Sequence, residues 1–237
     1  MATTISTGSN TINSLLRGGV HTGMITDIYG QSGSGKSQLC FTLCSNCARE
    51  DSRILFIDTA GTFRPERIAE ISGSKHALEK ITYIRALTTT GQLKATRKIL
   101  EIRPDLVVVD TLTSLFSAEY SGPARHLAVM NYLHKLAIMA IRSGCAIVVT
   151  NFIRTAPMTT VDQAGNDIAQ TIVPSHQREY LGSSVSLYSH MRIKLEIIDS
   201  TKSSFQAVLV QPPCRESACF SIRFEGISDC NKTIISQ

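Results

Sequence analysis

The chain has 237 residues, 43% hydrophobic and 18% charged, which suits a single α/β domain spanning residues 1–237 around a substantial buried core. No apolar run approaches the ~18–20 residues of a membrane span, and the opening MATTISTGSN has neither the basic start nor the apolar stretch of a signal peptide, so a cytoplasmic protein without membrane contact is expected. The net charge of +5, from 24 Lys and Arg against 19 Asp and Glu, permits contact with a polyanion without demonstrating it.

Along the chain, short apolar runs alternate with helical patterns, which predicts a mostly parallel twisted sheet flanked by helices. Met24–Tyr29 is the first strand, followed by a glycine-rich turn and a helix over Lys36–Glu50. In that helix Cys40, Cys44 and Cys47 share helical spacing with Leu39 and Leu43, so the lone C-x-x-C pair reads as helix core rather than a metal or redox site. The seven cysteines form no regular framework, and free thiols are expected.

Strand Ile54–Asp58, helix Pro65–Ile71, strand Ile81–Arg85 and helix Gly91–Ile102 come next, then strand Leu106–Asp110, helix Ala124–Ser143 and strand Ala146–Thr150. The strands at 106–110 and 146–150 are nearly unbroken apolar runs, as a sheet covered on both faces requires. Within helix 124–143, Leu127, Met130, Leu133, Leu136 and Ala140 recur every three or four residues and predict one buried stripe. Residues 152–190 are polar and aperiodic, and read as a long surface loop followed by a short helical or irregular piece. Arg192–Ile198, Phe205–Val210 and Phe220–Phe224 then look like consecutive strands, an antiparallel C-terminal edge.

Gly30-Gln31-Ser32-Gly33-Ser34-Gly35-Lys36-Ser37 matches G-x-x-x-x-G-K-[ST] between a strand and a helix, the context that makes this pattern specific. The glycines let the backbone curl its N–H groups inward, and the helix directs the positive end of its dipole to the same point. Lys36 supplies a mobile charge for the β- and γ-phosphates, and the Ser37 hydroxyl suits Mg²⁺. Gln38 completes the expected nucleotide site. Leu106-Val-Val-Val-Asp110 ends a buried strand in a carboxylate placed to hold the same metal through water. ATP or GTP with magnesium is the expected cofactor.

With these motifs, residues 6–43 and the string FIDTAGTFRPERI (56–68) resemble the archaeal RadA/RadB branch of the RecA recombinase superfamily, most specifically through Gly61–Arg67. The resemblance covers nearly the whole chain and implies a RecA-like P-loop core. Because the chain starts at that core, a RadB-like paralogue is expected over a RadA. In the family the segment matching 58–60 reads Asp-Thr-Glu, and its glutamate positions the attacking water; here Ala60 stands there. A missing general base costs ~10²–10⁴ in rate, so binding should outlast hydrolysis, with no certain catalytic residue and at most slow DNA-dependent turnover. The family's Thr-Asn-Gln, whose glutamine senses the γ-phosphate, appears as Thr150-Asn151-Phe152, and a phenyl ring cannot make that hydrogen bond.

By the same resemblance Arg67 would lie on the adenine, favouring ATP, and Pro213 resembles a proline that caps the base from a neighbouring subunit. Two DNA-facing loops would correspond to Ser117–Arg125 and Ala156–Gln177, with Arg125, Arg154 and Arg178 as the main cations. Weak, sequence-independent contact with single-stranded DNA is implied. The leading account is an assembly module for DNA repair and recombination that assists a RadA-type recombinase or self-associates. The alternatives are a strand-exchange ATPase, with Glu66 or Glu119 replacing the lost carboxylate, and a KaiC-like signalling ATPase without DNA.

Overall fold

The computed structural model describes residues 3–49, 52–155, 177–199 and 204–230. Strand β1 (Thr4–Ile5), helix α1 (Asn10–Leu15) and strand β2 (Val20–His21) form a small N-terminal unit to which the sequence patterns assign no element. The alternating series follows as β3 (Ile25–Gly30), α2 (Lys36–Arg49), β4 (Ile54–Asp58), α3 (Pro65–Ser72), a 3-10 turn (Lys75–Lys80), β5 (Ile81–Arg85), α4 (Thr89–Ala95), α5 (Lys98–Ile102) and β6 (Leu106–Asp110). Then come α6 (Ser114–Glu119), α7 (Gly122–Ser143), β7 (Ala146–Thr155), β8 (Gln177–Glu179), α8 (Gly182–Ser186), β9 (Met191–Asp199), β10 (Ser204–Gln211), β11 (Ser217–Arg223) and β12 (Gly226–Asp229).

The main sheet runs β12-β11-β10-β9-β3-β7-β6-β4-β5, with β8 pairing β7. Strands β9, β3, β7, β6, β4 and β5 pair in parallel, whereas β9 to β12 form an antiparallel meander at one edge, as expected. Period-two alternation divides the core. In β4 and β6, Ile54, Phe56, Leu106 and Val108 pack with α2, while Leu55, Ile57, Val107 and Val109 face α7. Burying each such side chain contributes roughly 1.5–3 kcal/mol, and both faces of these strands contribute. Cys40, Cys44 and Cys47 are fully buried in the α2 layer, as their spacing implies.

Four expectations are corrected. The helix over 91–102 is broken, because Thr96 Oγ1 bonds back to the Leu93 carbonyl at 2.7 Å between α4 and α5. The loop expected over Ser117–Arg125 is mostly helix: only Tyr120 and Ser121 separate α6 from α7. Gly122-Pro123, which looks like a turn, opens α7 with proline in its first turn, and Phe116 packs on Tyr132 with ring centroids 5.5 Å apart. The stripe of α7 runs through Val129, Tyr132, Leu133, Leu136 and Ala140, leaving Leu127 60% exposed. Finally, not all cysteines are free: Cys219 and Cys230 form a disulfide. The β11–β12 register, Ile222 opposite Ile227 and Phe220 opposite Asp229, brings the two together, and β12 is too short to be read from its residues. The second expected DNA loop, Ala156–Gln177, lies outside the described residues except for Gln177, which opens β8.

Candidate nucleotide-binding site

The phosphate loop leaves β3 at Gly30, in the middle of the sheet, and enters α2 at Lys36. Its spelling follows from crowding. A Cβ on Gly30 would stand 2.3 Å from the Leu195 carbonyl oxygen, and Gly35, at φ +94°, would press one to 3.0 Å from Ile222 Cδ1. The loop borders a cavity of about 360 Å³ walled by Ser32, Gly33, Gly35, Lys36, Ser37 and Gln38, with Thr62, Asp110, Thr111, Phe152 and Ile222 opposite. Gly30, Gln31 and Ser34 form the back of the loop rather than this wall.

Lys36 Nζ donates to the loop's own carbonyls, Gly30 at 2.9 Å and Gln31 at 2.7 Å. Burial holds its pKa below the ordinary lysine value, with the charge of Asp110 opposing. Ser34 Oγ is buried without a hydrogen-bond partner among the described residues. An ammonium hydrogen-bonded to neutral carbonyls, a spare hydroxyl and a helix N-terminus together suit a polyphosphate.

Asp110, 2% exposed at the end of β6, is surrounded by hydroxyls. Ser37 and Thr62 donate to its Oδ2 at 2.7 and 2.8 Å, and Thr150 and Thr111 to its Oδ1 at 2.5 and 3.3 Å. A buried carboxylate with hydroxyl partners and no ion pair among the described residues fits a hydrated Mg²⁺ ion, with Ser37 as the direct ligand. Thr62 and Thr150 escaped the sequence reading of site residues. Thr62 lies within the GTFRPER string, and that string was the available signal.

Asp58 cannot serve as a water-activating base. Its carboxylate accepts the backbone N–H groups of Ala60, Gly61, Thr62 and Phe63, and Arg85 Nη1 at 2.9 Å and Tyr83 Oη at 3.2 Å, which fixes the turn after β4. Ala60 is exposed on that turn and Glu66 is exposed at the start of α3. Glu119 is occupied elsewhere, accepting from Thr89 N at 2.9 Å and Thr89 Oγ1 at 2.5 Å. Arg67 stands beside the cavity: Nε donates to Gln38 Oε1 at 3.0 Å, and the guanidinium also holds the Phe224 and Arg223 carbonyls and Glu70.

Of the three candidate DNA contacts, the structure brings Arg125 and Arg154 together on Tyr180. Arg125 Nη1 donates to its hydroxyl at 2.5 Å, and Arg154 lies 4.2 Å from its ring centroid. Arg178 sits opposite Arg154 in the β7–β8 ladder. Pro213 lies two residues after Gln211, whose side chain donates to the Ser189 carbonyl at 2.8 Å. Among the described residues no helix is long and apolar enough to cross a membrane.

Comparison with known proteins adds independent evidence. DNA repair protein RAD51 homolog 1 of Arabidopsis thaliana is 30% identical over 247 residues, covering 95% of this chain and 69% of that protein. RAD51 homolog A of Zea mays is 37% identical over 166 residues, covering 62% and 49%, and DNA repair protein rhp51 of Schizosaccharomyces pombe is 35% identical over 167 residues, covering 62% and 46%. The Rad51 family profile matches residues 1–230. A match of that extent, on a mostly parallel sheet with its phosphate loop between β3 and α2, makes the chain a member of the Rad51 family.

Proposed function

We propose that this chain is a RadB-like accessory protein of DNA repair and homologous recombination that binds ATP and Mg²⁺ tightly, hydrolyses ATP slowly, and assists a RadA-type recombinase or assembles with its own copies. The observation that carries the proposal is the acid content of the cavity. Among its lining residues Asp110 is the one carboxylate, and a bound magnesium ion would claim it. Ala60 supplies no acceptor, Asp58 is spent on its own turn, and Glu119 is spent on Thr89. Gly30–Gln38 would hold the phosphates, Ser37 and Asp110 the magnesium, and Arg67 the adenine edge.

Chemistry at the γ-phosphate needs a group that orients and deprotonates water, worth ~10²–10⁴ in rate, or roughly 3–5 kcal/mol at the barrier. Affinity depends on other groups, and these are present. Calorimetry with Mg·ATP alongside steady-state turnover tests the proposal. The natural chain should bind the nucleotide and turn it over slowly, and Ala60→Glu should raise turnover by ~10²-fold or more with little change in affinity. Turnover already rapid in the natural chain and indifferent to Ala60→Glu would refute the slow-hydrolysis account. Absence of any magnesium-dependent binding would refute the whole proposal.

A further inference from the structure

Strands β11 and β12 form a hairpin that leans on the phosphate loop. Ile222 of β11 walls the cavity, and a Cβ on Gly35 would meet Ile222 Cδ1 at 3.0 Å and Phe220 Cε2 at 3.5 Å. At the turn of the hairpin the Arg223 and Phe224 carbonyls accept from the Arg67 guanidinium, whose Nε donates to Gln38 in the cavity wall. Within β12, Ile227 N donates to Thr42 Oγ1 on α2 at 3.2 Å. A nucleotide in the cavity would therefore rest partly on this hairpin. The footing of the hairpin itself is slight: β12 has four residues, ends the sheet and pairs with β11 alone, and short edge pairs of this kind fray.

The Cys219–Cys230 disulfide closes the open end of that hairpin, opposite the turn. Cys230 directly follows Asp229, the last residue of β12, and its N–H donates to the Cys219 carbonyl at 3.3 Å. Both half-cystines are partly exposed. Ser204 Oγ lies 3.7 Å from the Cys219 sulfur and 3.8 Å from that of Cys230, within reach to steady a thiolate at either. The buried cysteines differ. Burial pushes the thiols of Cys40, Cys44 and Cys145 up, the last to about 11, which suppresses the thiolate that redox chemistry needs.

We infer that Cys219 and Cys230 are a reversible redox site through which small thiols and disulfides adjust the grip on the nucleotide; the inference rests on the nucleotide binding proposed above. In the reduced chain one cysteine thiolate attacks a small disulfide such as oxidised glutathione, forming a mixed disulfide and expelling one small thiolate. The second cysteine, deprotonated in turn, attacks the protein sulfur of that mixed disulfide, closes the Cys219–Cys230 bond and expels the other. Two electrons pass from the protein to the small disulfide, and the two protein protons end on the released thiols. Excess thiol runs the same steps backwards. With the bond open, β12 frays inward from Cys230 through Asp229 and Ile227 towards the turn, and the carbonyls that hold Arg67 lose their support along with Ile222. Nucleotide binding must then restore that order itself, so reduction weakens it. Linkage makes the effect mutual: the factor that the disulfide adds to nucleotide affinity is the factor that bound nucleotide adds to formation of the disulfide.

The test uses the full chain carrying Cys214→Ser, which removes the exposed thiol outside the pair. Calorimetry with Mg²⁺ and a non-hydrolysable ATP analogue should show binding ~5-fold or more weaker in the reduced protein than in the oxidised, the lower end of the usual range for coupled sites. In graded glutathione buffers, with alkylation and mass spectrometry reading the disulfide, saturating analogue should shift half-oxidation towards more reducing buffer. The squared concentration of glutathione over that of its disulfide should rise at the midpoint by the factor found in calorimetry. Cys219→Ser should bind like the reduced protein in every buffer, and the redox titration decides the matter without it if that variant does not fold. Equal analogue affinity in the two redox states, or a midpoint that saturating analogue leaves in place, overturns the inference and leaves the proposed function standing. So does a pair that no glutathione buffer oxidises or reduces. Absence of analogue binding in both redox states overturns the proposed function and the inference with it.

Discussion

Asp110 shows how much of the site depends on one side chain. Its four hydroxyl partners come from four different segments, α2, the turn after β4, the residue after β6 and the middle of β7, so its carboxylate is a knot between strands as well as the proposed metal holder. Asp110→Asn keeps the shape and removes the charge. Magnesium should then strengthen nucleotide binding ~10–100-fold less than in the natural chain, the usual cost of altering a group that holds a metal through water, while binding in EDTA should be unchanged or tighter. Calorimetry with and without magnesium reads both values. Equal magnesium dependence in the two proteins would remove Asp110 from the metal site.

At the scale of elements, Asp229 at the end of β12 holds the start of α1, more than two hundred residues earlier in the chain. It accepts Asn10 N at 3.1 Å, Thr11 N at 3.0 Å and Thr11 Oγ1 at 2.8 Å, as well as Ser9 Oγ at 2.5 Å. Partial burial pushes its pKa up, but the bonds from Ser9, Thr11 and Asn10 outweigh that and hold it below the usual carboxylate range. A carboxyl depressed on folding stabilises fully above its unfolded value, ~3.9, and loses that contribution as pH falls through the lowered folded value. Asp229→Asn should therefore destabilise by about 0.5–2 kcal/mol at neutral pH, as loss of a helix cap does, and the gap in urea midpoint should narrow below about pH 4. A gap independent of pH would mean that shape, not charge, holds α1. This clasp was not legible in the sequence, since neither Asp229 nor α1 belongs to a periodic segment. By contrast β4 and β6 were legible to the residue, because strands covered on both faces are written as apolar runs, and so was the edge strand β5, which is partly exposed. The phosphate loop was equally readable, because its chemistry is local. The hydroxyl shell of Asp110 and the Tyr180 cluster depend on contacts between distant segments, and spacing along one segment does not encode them.

Across the whole molecule a buried polar chain ties the phosphate strand to the hairpin. Thr113 Oγ1 donates to Asn151 Oδ1 at 2.7 Å, Asn151 Nδ2 to Glu179 Oε1 at 2.6 Å, and Arg192 to both Glu179 and Asp27, the latter at 3.3 Å. Asp27 lies in β3 three residues before Gly30, and Glu179 lies in β8 beside Tyr180, so one guanidinium spans the sheet between the two sites. Burial, reinforced by Glu179 and opposed by Arg192, pushes the Asp27 carboxyl well above the usual range. An acid whose pKa is raised on folding makes stability fall as pH rises from the unfolded value, ~3.9, through the folded one. Arg192→Met keeps most of the side-chain volume but leaves two buried carboxylates without their cation, which should cost about 3–5 kcal/mol. Without the guanidinium the Asp27 pKa rises further and the window widens upward, so the deficit should be largest near pH 7 and shrink towards about pH 5 as that acid takes up a proton. Asp27→Asn, which substitutes a neutral group for an acid already biased towards neutrality, should cost far less at either pH. Unfolding free energies from urea titrations at the two pH values decide the matter: an Arg192→Met deficit that does not change with pH would assign the stabilisation to packing of the arginine stem, and the spanning charge network would have no part in holding the two sites together.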